Sequence, residues 1–221
     1  MMFQQDRDML VETCIRLADM GYLAGTGGNI ALLVDYEHFL VTPSGTDYYA
    51  MNAADICVMR TADLVQIDGE KGPSVEAGLH ARVLSARGDC TASVHTHQPI
   101  ASAYTLLSRP LEVQDAETAA LLGETVPCVS YAPSGTGWLA RGVGNAFKGS
   151  NHACLMRSHG IVCVGTDIEQ AIERVVALEA ACAAFFQAAL TSSSTLSDTT
   201  RALIERTLVS NNREHNQEST A

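Results

Sequence analysis

The sequence predicts a single α/β domain ending in a polar tail, and three observations predict it. Segments that read as strands alternate along the chain with segments of helical period. Apolar residues make up 47% of the 221 residues, enough to bury a sizeable core. After the last long helical segment the composition turns to Ser and Thr, between Ser192 and Ser197, and from Ser210 it is polar. The expected division is a domain over 1–190 and a partly disordered tail over 191–221, with no internal repeat.

Each element has its own signal. From Asp6 to Met20, Leu10, Cys14 and Leu17 recur at helical spacing with Val11, Ile15 and Ala18 beside them, and Gly21 is a natural stop. AGTGGNIALLV is a small-residue loop running into a strand. HFLVTPSG is a second short strand ending in a turn, and ADICVMRTADLVQIDG gives two more. Pro73 and Ser74 open a helix, VEAGLHARVLSAR, with Ser74 at its N-cap. CTASVHTH is a strand ending at its second histidine. Pro99 suits the first turn of the helix IASAYTLL. VPCVSYA and ACLMRSHGIVCVG are further strands, and Asp167 caps a long helix through Leu190. In the tail, TRALIERTL returns to a short helical pattern.

Composition excludes several function classes. The formal net charge is -11 and the pI about 4.9. No Lys/Arg cluster is present, so nucleic acid is not an expected partner. The seven cysteines are scattered, odd in number and never in C-x-x-C spacing. They read as buried thiols in a reducing compartment rather than a disulfide framework. MMFQQDRDML has no basic region followed by an apolar run, so it is not a signal peptide. The longest apolar stretch, Ile168 to Leu190, contains Glu169, Glu173, Arg174 and Glu179. A bilayer centre would penalise most such charges by about 2.5–3.5 kcal/mol each. The expectation is a soluble, cytoplasmic protein with no membrane partner.

His95-Thr96-His97, at the end of an apolar strand, is the strongest local chemical feature. Alternate strand residues share a face, so both imidazoles point the same way and make half a zinc site. A catalytic zinc usually takes three protein ligands and keeps one position open for substrate. His159, at the end of another apolar strand and followed by Gly160, is the candidate third ligand; the glycine allows a sharp turn beside the metal. The competing reading is three ordinary histidines. His80 lies four residues after Glu76 on the same helix face, as a support for the site or as packing. His38, His152 and His215 read as incidental. Glu76, in the first turn of its helix, is the acid/base candidate, against the alternative of a common N-terminal helix charge. Three segments could hold an anion: Gly25-Thr26-Gly27-Gly28-Asn29, Thr42-Pro43-Ser44-Gly45, and Ser74 at a helix start. The first is not a Walker loop, because no G-K-[ST] follows.

In order, GTGGN, TPSG, PSVEAGLH, VHTH and SHG resemble the class II aldolase/adducin family over about residues 8 to 190. The resemblance implies a three-layer α/β/α sandwich around a mostly antiparallel sheet, and a homotetramer with active sites between subunits. It puts Zn2+ (or another divalent metal) on His95, His97 and His159 and makes Glu76 the acid/base. It assigns Gly28, Asn29, Ser44, Gly45 and Ser74 to the phosphate of a sugar-phosphate substrate. The implied reaction is zinc-dependent retro-aldol cleavage of a ketose 1-phosphate to dihydroxyacetone phosphate and an aldehyde. A sugar-phosphate 4-epimerase or a decarboxylase would use the same metal, and an adducin-like interaction module is the non-enzymatic alternative.

This chain departs from the family pattern in places. Val75 stands where phosphate-binding relatives often have a second serine. SGTDYYAMNAADI looks more like the epimerase, whereas Glu76 is aldolase-like. No tyrosine lies between Tyr104 and Tyr131, where aldolases place a catalytic one, and none follows Tyr131; QDAETAALLGE, with Asp115 and Glu117, stands there instead. The second proton-transfer group is therefore unidentified. A structural zinc closed by Cys154 or Cys163 is a further alternative.

Overall fold

The computed structural model describes residues 1–23 and 25–192, with 197–199, 201, 202, 205 and 206. Among these the chain runs α1 (Gln4–Asp19), β1 (Asn29–Leu33), β2 (His38–Val41), β3 (Cys57–Arg60), β4 (Gln66–Asp68) and α2 (Ala77–Ala86). It continues through β5 (Ala92–Thr96), α3 (Pro99–Thr105), β6 (Leu111–Glu112), α4 (Ala116–Leu122), β7 (Thr125–Val126) and β8 (Cys128–Val129). It closes with α5 (Gly137–Ala146), β9 (Ala153–Met156), β10 (Gly160–Gly165) and α6 (Ile168–Ser192). Eight strands form one sheet in the order β4-β3-β2-β1-β5-β10-β9-β8, and β6 and β7 form a separate ribbon. Every pairing in the large sheet is antiparallel except β8 with β9.

Side-chain alternation divides the strands between two helical layers, as a sheet buried on both faces requires. Ile30 and Leu32, Leu40, Val58, Val94, Leu155, Ile161 and Cys163 meet α1, α3, α4 and α6 in one core. Their sequence neighbours point the other way. Cys154, Met156, Val162 and Val164 pack against Leu79 and Val83 of α2 and Leu139 and Val143 of α5. Ala31, Phe39, Val41, Cys57 and Met59 meet Ala77 and Leu84 of α2. The result is the expected three-layer α/β/α sandwich around a mostly antiparallel sheet.

Several expected boundaries move. The helix expected to open at Pro73 and Ser74 begins at Ala77, and Glu76 takes the N-cap place. Pro73 instead forms an isolated bridge with Pro43, and Ser74 N donates to Thr42 O (3.0 Å), which holds this segment extended. Ser74 is therefore not the N-cap, although its Oγ accepts from Glu76 N (3.2 Å). VPCVSYA resolves into two short strands around Pro127, which cannot donate to a ladder. ACLMRSHGIVCVG is a hairpin, β9 and β10, rather than one strand. Two helices had no clear sequence signal. In α5, glycines at 137, 142 and 144 lower helix propensity. Gly144 serves packing: a Cβ there would lie 3.1 Å from Arg82 Cβ of α2. In α4, seven residues are too few for a period, though Asp115 caps it through Thr118 N (2.7 Å). The tail pattern at 200–208 is helical at its described residues 201, 202, 205 and 206; the rest of that pattern and everything from Ser210 lie outside the described residues.

By length and composition, α6 could cross a membrane. Here one side of it packs into the core on one face of the sheet, and its buried charges have partners. Arg174 donates to Val164 O (2.7 Å) and Leu121 O (3.1 Å). Glu179, 2% exposed, accepts from Ile100 N (2.8 Å) and Ala101 N (2.7 Å). These are orphan donors at the start of α3, so a carboxylate from another helix performs the cap that Gln98 does not. Asp167 caps α6 itself through Gln170 N (2.8 Å), as expected. Replacing Glu179 with Ala should strand two buried N–H groups and lower unfolding free energy by about 3 kcal/mol. Urea denaturation checks this; a loss below about 0.5 kcal/mol would mean that α3 is held otherwise.

Candidate active site

The site grows from the register of β5 between β1 and β10. Asn29 on β1 and Val162 on β10 are both paired with His95. Ala92 and Val94 belong to the core on one face of the sheet, so Ser93 and His95 face α2 on the other. The strand ends at Thr96, one residue earlier than expected, and His97 N donates to Tyr22 O (3.0 Å). His159 sits in the β9–β10 turn, its N donating to Met156 O (3.0 Å). The turn's left-handed residue is Ser158 (φ 54°), not Gly160. Gly160 is required for another reason: a Cβ there would lie 2.5 Å from Thr96 O and 2.6 Å from His97 Cδ2. Gly28 (φ +87°) is confined similarly, with a Cβ falling 2.4 Å from Leu23 Cδ2 and 2.8 Å from His95 O.

These constraints bring the three histidines together. One nitrogen from each lies within 4.8 Å of the others, and the ring centroids are 4.7, 4.9 and 5.2 Å apart. Among the described residues this is the group of three His, Cys, Asp or Glu side chains arranged to hold a metal. Nδ1 of His95 meets Ile161 O at 2.8 Å. A carbonyl only accepts, so Nδ1 carries the proton and Nε2 presents a lone pair. That Nε2 faces His97 Nε2 at 3.0 Å. Tetrahedral zinc bonded at about 2.0–2.1 Å sets its nitrogens roughly 3.3 Å apart, so the His95–His97 pair fits such an ion, with the His159 nitrogen within 4.8 Å of both. Burial pushes the His95 ring down to about 3, with His97 and His159 acting in the same direction, and pushes His97 down as well. Neutral rings are the form that ligates.

Glu76 closes the group, 4% exposed, with Oε2 3.3 Å from His95 Nε2 and Oε1 3.5 Å from His159 Nε2. Oε2 accepts from Asn29 Nδ2 (2.9 Å) and Oε1 from Ser134 Oγ (2.8 Å). Burial alone would raise this carboxyl. The facing His95, the Asn29 amide, His159 and Ser134 outweigh it and hold it below its ordinary value. Asn29 Oδ1 meets His80 Nε2 (2.6 Å), and His80 Nδ1 meets Ser93 Oγ (2.7 Å). His80 is wholly buried, and burial pushes it down to about 4.

The three candidate anion segments lie side by side. Thr42 N donates to Ile30 O (3.1 Å), Ser74 N to Thr42 O (3.0 Å) and Ser44 N to Gly72 O (3.0 Å). Tyr48 Oη donates to Gly28 O (2.7 Å), fixing the glycine-rich loop. Ser44 and Gly45 are exposed and Ser74 is buried. Both polar atoms of the Asn29 side chain are engaged by Glu76 and His80, which leaves its backbone to face an anion. A groove of about 760 Å³ along α2 and α5 is lined by Val75, Glu76 and Gly135 but by none of the three histidines, so it adjoins the triad rather than opening on it.

The model of the class II aldolase and adducin N-terminal domain matches residues 8–186. The chain belongs to this family. L-fuculose phosphate aldolase of Methanococcus maripaludis is 31% identical over 172 residues, covering 76% of this chain and 89% of that protein. The 5-methylthioribulose-1-phosphate/5-deoxyribulose-1-phosphate aldolase of Rhodospirillum rubrum is 32% identical over 179 residues, covering 78% and 76%. A solved structure of L-fuculose 1-phosphate aldolase superposes with TM-score 0.80 at 26% identity, covering 91% of this chain and 94% of that one. With these relatives, the chain is a class II aldolase-type enzyme.

For this family member, sequence reasoning placed the triad and Glu76 together, and the structure does so too. It missed Ser134, whose setting in a Pro-Ser-Gly turn looks like any other turn. It favoured packing over support for His80, whereas the structure bonds both ring nitrogens, to Asn29 and Ser93. Asp115 is spent on capping α4. Cys154 and Cys163 are buried free thiols on opposite faces of the sheet. Changing Gly160 to Ala should overpack the triad and cost about 1–3 kcal/mol, read by urea unfolding. Wild-type stability in that variant would contradict the close approach.

Proposed function

We propose that this enzyme is a zinc-dependent lyase cleaving a ketose 1-phosphate, by retro-aldol reaction, to dihydroxyacetone phosphate and an aldehyde. One observation carries the reading: three imidazoles, two of them pushed toward the neutral form, converge on a buried carboxylate. The names of the two relatives above, both sugar-phosphate aldolases, support the substrate class. In this reading His95, His97 and His159 hold the ion; a set of three histidines also accepts other divalent metals. When bound, it supplies Lewis acidity toward the ketone oxygen, lowering the cost of the charge that develops as the carbon–carbon bond breaks.

Glu76 is assigned the proton at the carbon that becomes nucleophilic in the reverse direction. Its two oxygens are not equivalent. The Asn29 amide nitrogen can only donate, so Oε2 must stay an acceptor. The Ser134 hydroxyl can reverse and accept, so Oε1 is the oxygen that can carry the proton. Phosphate is assigned to Gly28, Ser44, Gly45 and Ser74 with the backbone of Asn29, on three adjacent strands of chain. We take the catalytic domain as residues 1–190 and the working form as a homotetramer in the cytoplasm. The seven free cysteines fit a reducing compartment.

Metal analysis of purified protein, paired with dihydroxyacetone phosphate release from a panel of ketose 1-phosphates, tests the proposal. Stoichiometric zinc with release from one of them is expected. Zinc without release would replace cleavage by epimerisation or decarboxylation. No bound metal, and no activity after zinc is added back, would make the chain an adducin-like module. His97→Ala should lose both metal and turnover, and full turnover by metal-free His97→Ala would refute the metal role. Glu76→Gln should keep the metal and lose about 10²–10⁴-fold in kcat.

A further inference from the structure

We propose that His80 and Ser93, neither of which belongs to the triad, are positioning residues that set the orientation of the Asn29 amide and, through it, of Glu76. This rests on the proposed role of Glu76. The chemistry of the chain Ser93–His80–Asn29–Glu76 allows one direction. An ionised carboxylate only accepts, so Asn29 turns Nδ2 toward Glu76 and Oδ1 toward His80. His80 must then donate from Nε2, which leaves Nδ1 to accept from the Ser93 hydroxyl. All four residues are buried: Ser93 and His80 at 0%, Glu76 at 4% and Asn29 at 7% exposure. No water competes for these bonds, and an amide flip at Asn29 would set Oδ1 against the carboxylate.

The fold dedicates one sheet face to this chain. Ala31 on β1 is paired with Ser93, and Asn29 with His95, so the two strands present Asn29 and Ser93 toward α2. His80 sits one helical turn after Glu76 and spans the gap between them. An imidazole there keeps Oε2 of Glu76 occupied and leaves Oε1 as the working oxygen. Packing alone needs no such polarity, since an apolar side chain of similar size would fill the space.

The test compares His80→Leu, which removes the donor, with His80→Gln, whose amide can donate at the Nε2 position. With metal content and KM near wild type, and a thermal midpoint lowered by the stranded Asn29 Oδ1 and Ser93 hydroxyl, His80→Leu should lose about 10–100-fold in kcat, as loss of outer partners around a metal site typically does. His80→Gln should restore most of it. In a Glu76→Gln background, His80→Leu should cost nothing further, because the two act as a unit. Equal losses in both backgrounds, or a fall in stability with unchanged kcat, would overturn the proposal. Should His80→Leu fail to fold, imidazole ¹⁵N shifts of the wild-type protein decide, with and without zinc. An Nε2–H tautomer at His80 supports the chain, and an Nδ1–H tautomer overturns it. That readout needs no turnover. If the wild-type enzyme cleaves no ketose 1-phosphate, the lyase reading fails while the hydrogen-bond chain is still judged by its tautomer.

Discussion

The close approach of two backbones to the end of β5 is the constraint on which the site depends. Gly28 and Gly160 leave no room for a Cβ against His95 O, Thr96 O and the His97 ring. Hydrogen-bonded strands normally hold side chains apart at the sheet spacing. Here the missing Cβ atoms let the turn carrying His159 and the loop leading to Asn29 close on the strand that carries His95. Glu179 secures the other side, holding the first turn of α3 immediately beyond His97 and Gln98. The histidines are thus placed by backbone, with little left to side-chain freedom.

The electrostatics follow from that placement. Two imidazole nitrogens face each other at 3.0 Å, with a carboxylate 3.3 Å from one of them, in a setting nearly closed to water. Buried acceptors without donors are costly. Asn29 and Ser134 satisfy the carboxylate, and Ile161 O fixes one ring's tautomer. The remaining lone pairs point inward, which is the arrangement a small cation relieves. Stability and chemistry are in tension here, as is usual where a site is preorganised.

The histidine pair was readable because a strand has a period of two, and H-x-H at its end puts both rings on one face. The layer order was readable through the family resemblance, and then visible in how successive residues of the fully buried β9 and β10 divide between two cores. Other features depended on tertiary contacts that have no local signature. Of the glycines that argue against helix in α5, Gly144 is the one that α2 lies against. Ser74 looks like an N-cap, but pairing with Thr42 O keeps its backbone extended. Asn29 reads as part of a glycine-rich anion loop, yet the β1–β5 register turns its side chain inward. Ser134 is 58 residues from the carboxylate it bonds and carries no motif.

The division of the sheet into two faces has an evolutionary consequence. Asn29, Ser93 and His95 occupy the face toward α2, while the larger apolar core lies on the other, under α1 and α6. Substitutions in the loop before α5, which carries Ser134, can therefore reshape the surroundings of the carboxylate without drawing on that larger core. Mutational drift on one side is insulated from mutational drift on the other. One scaffold can then be retuned from substrate to substrate while its larger core stays untouched.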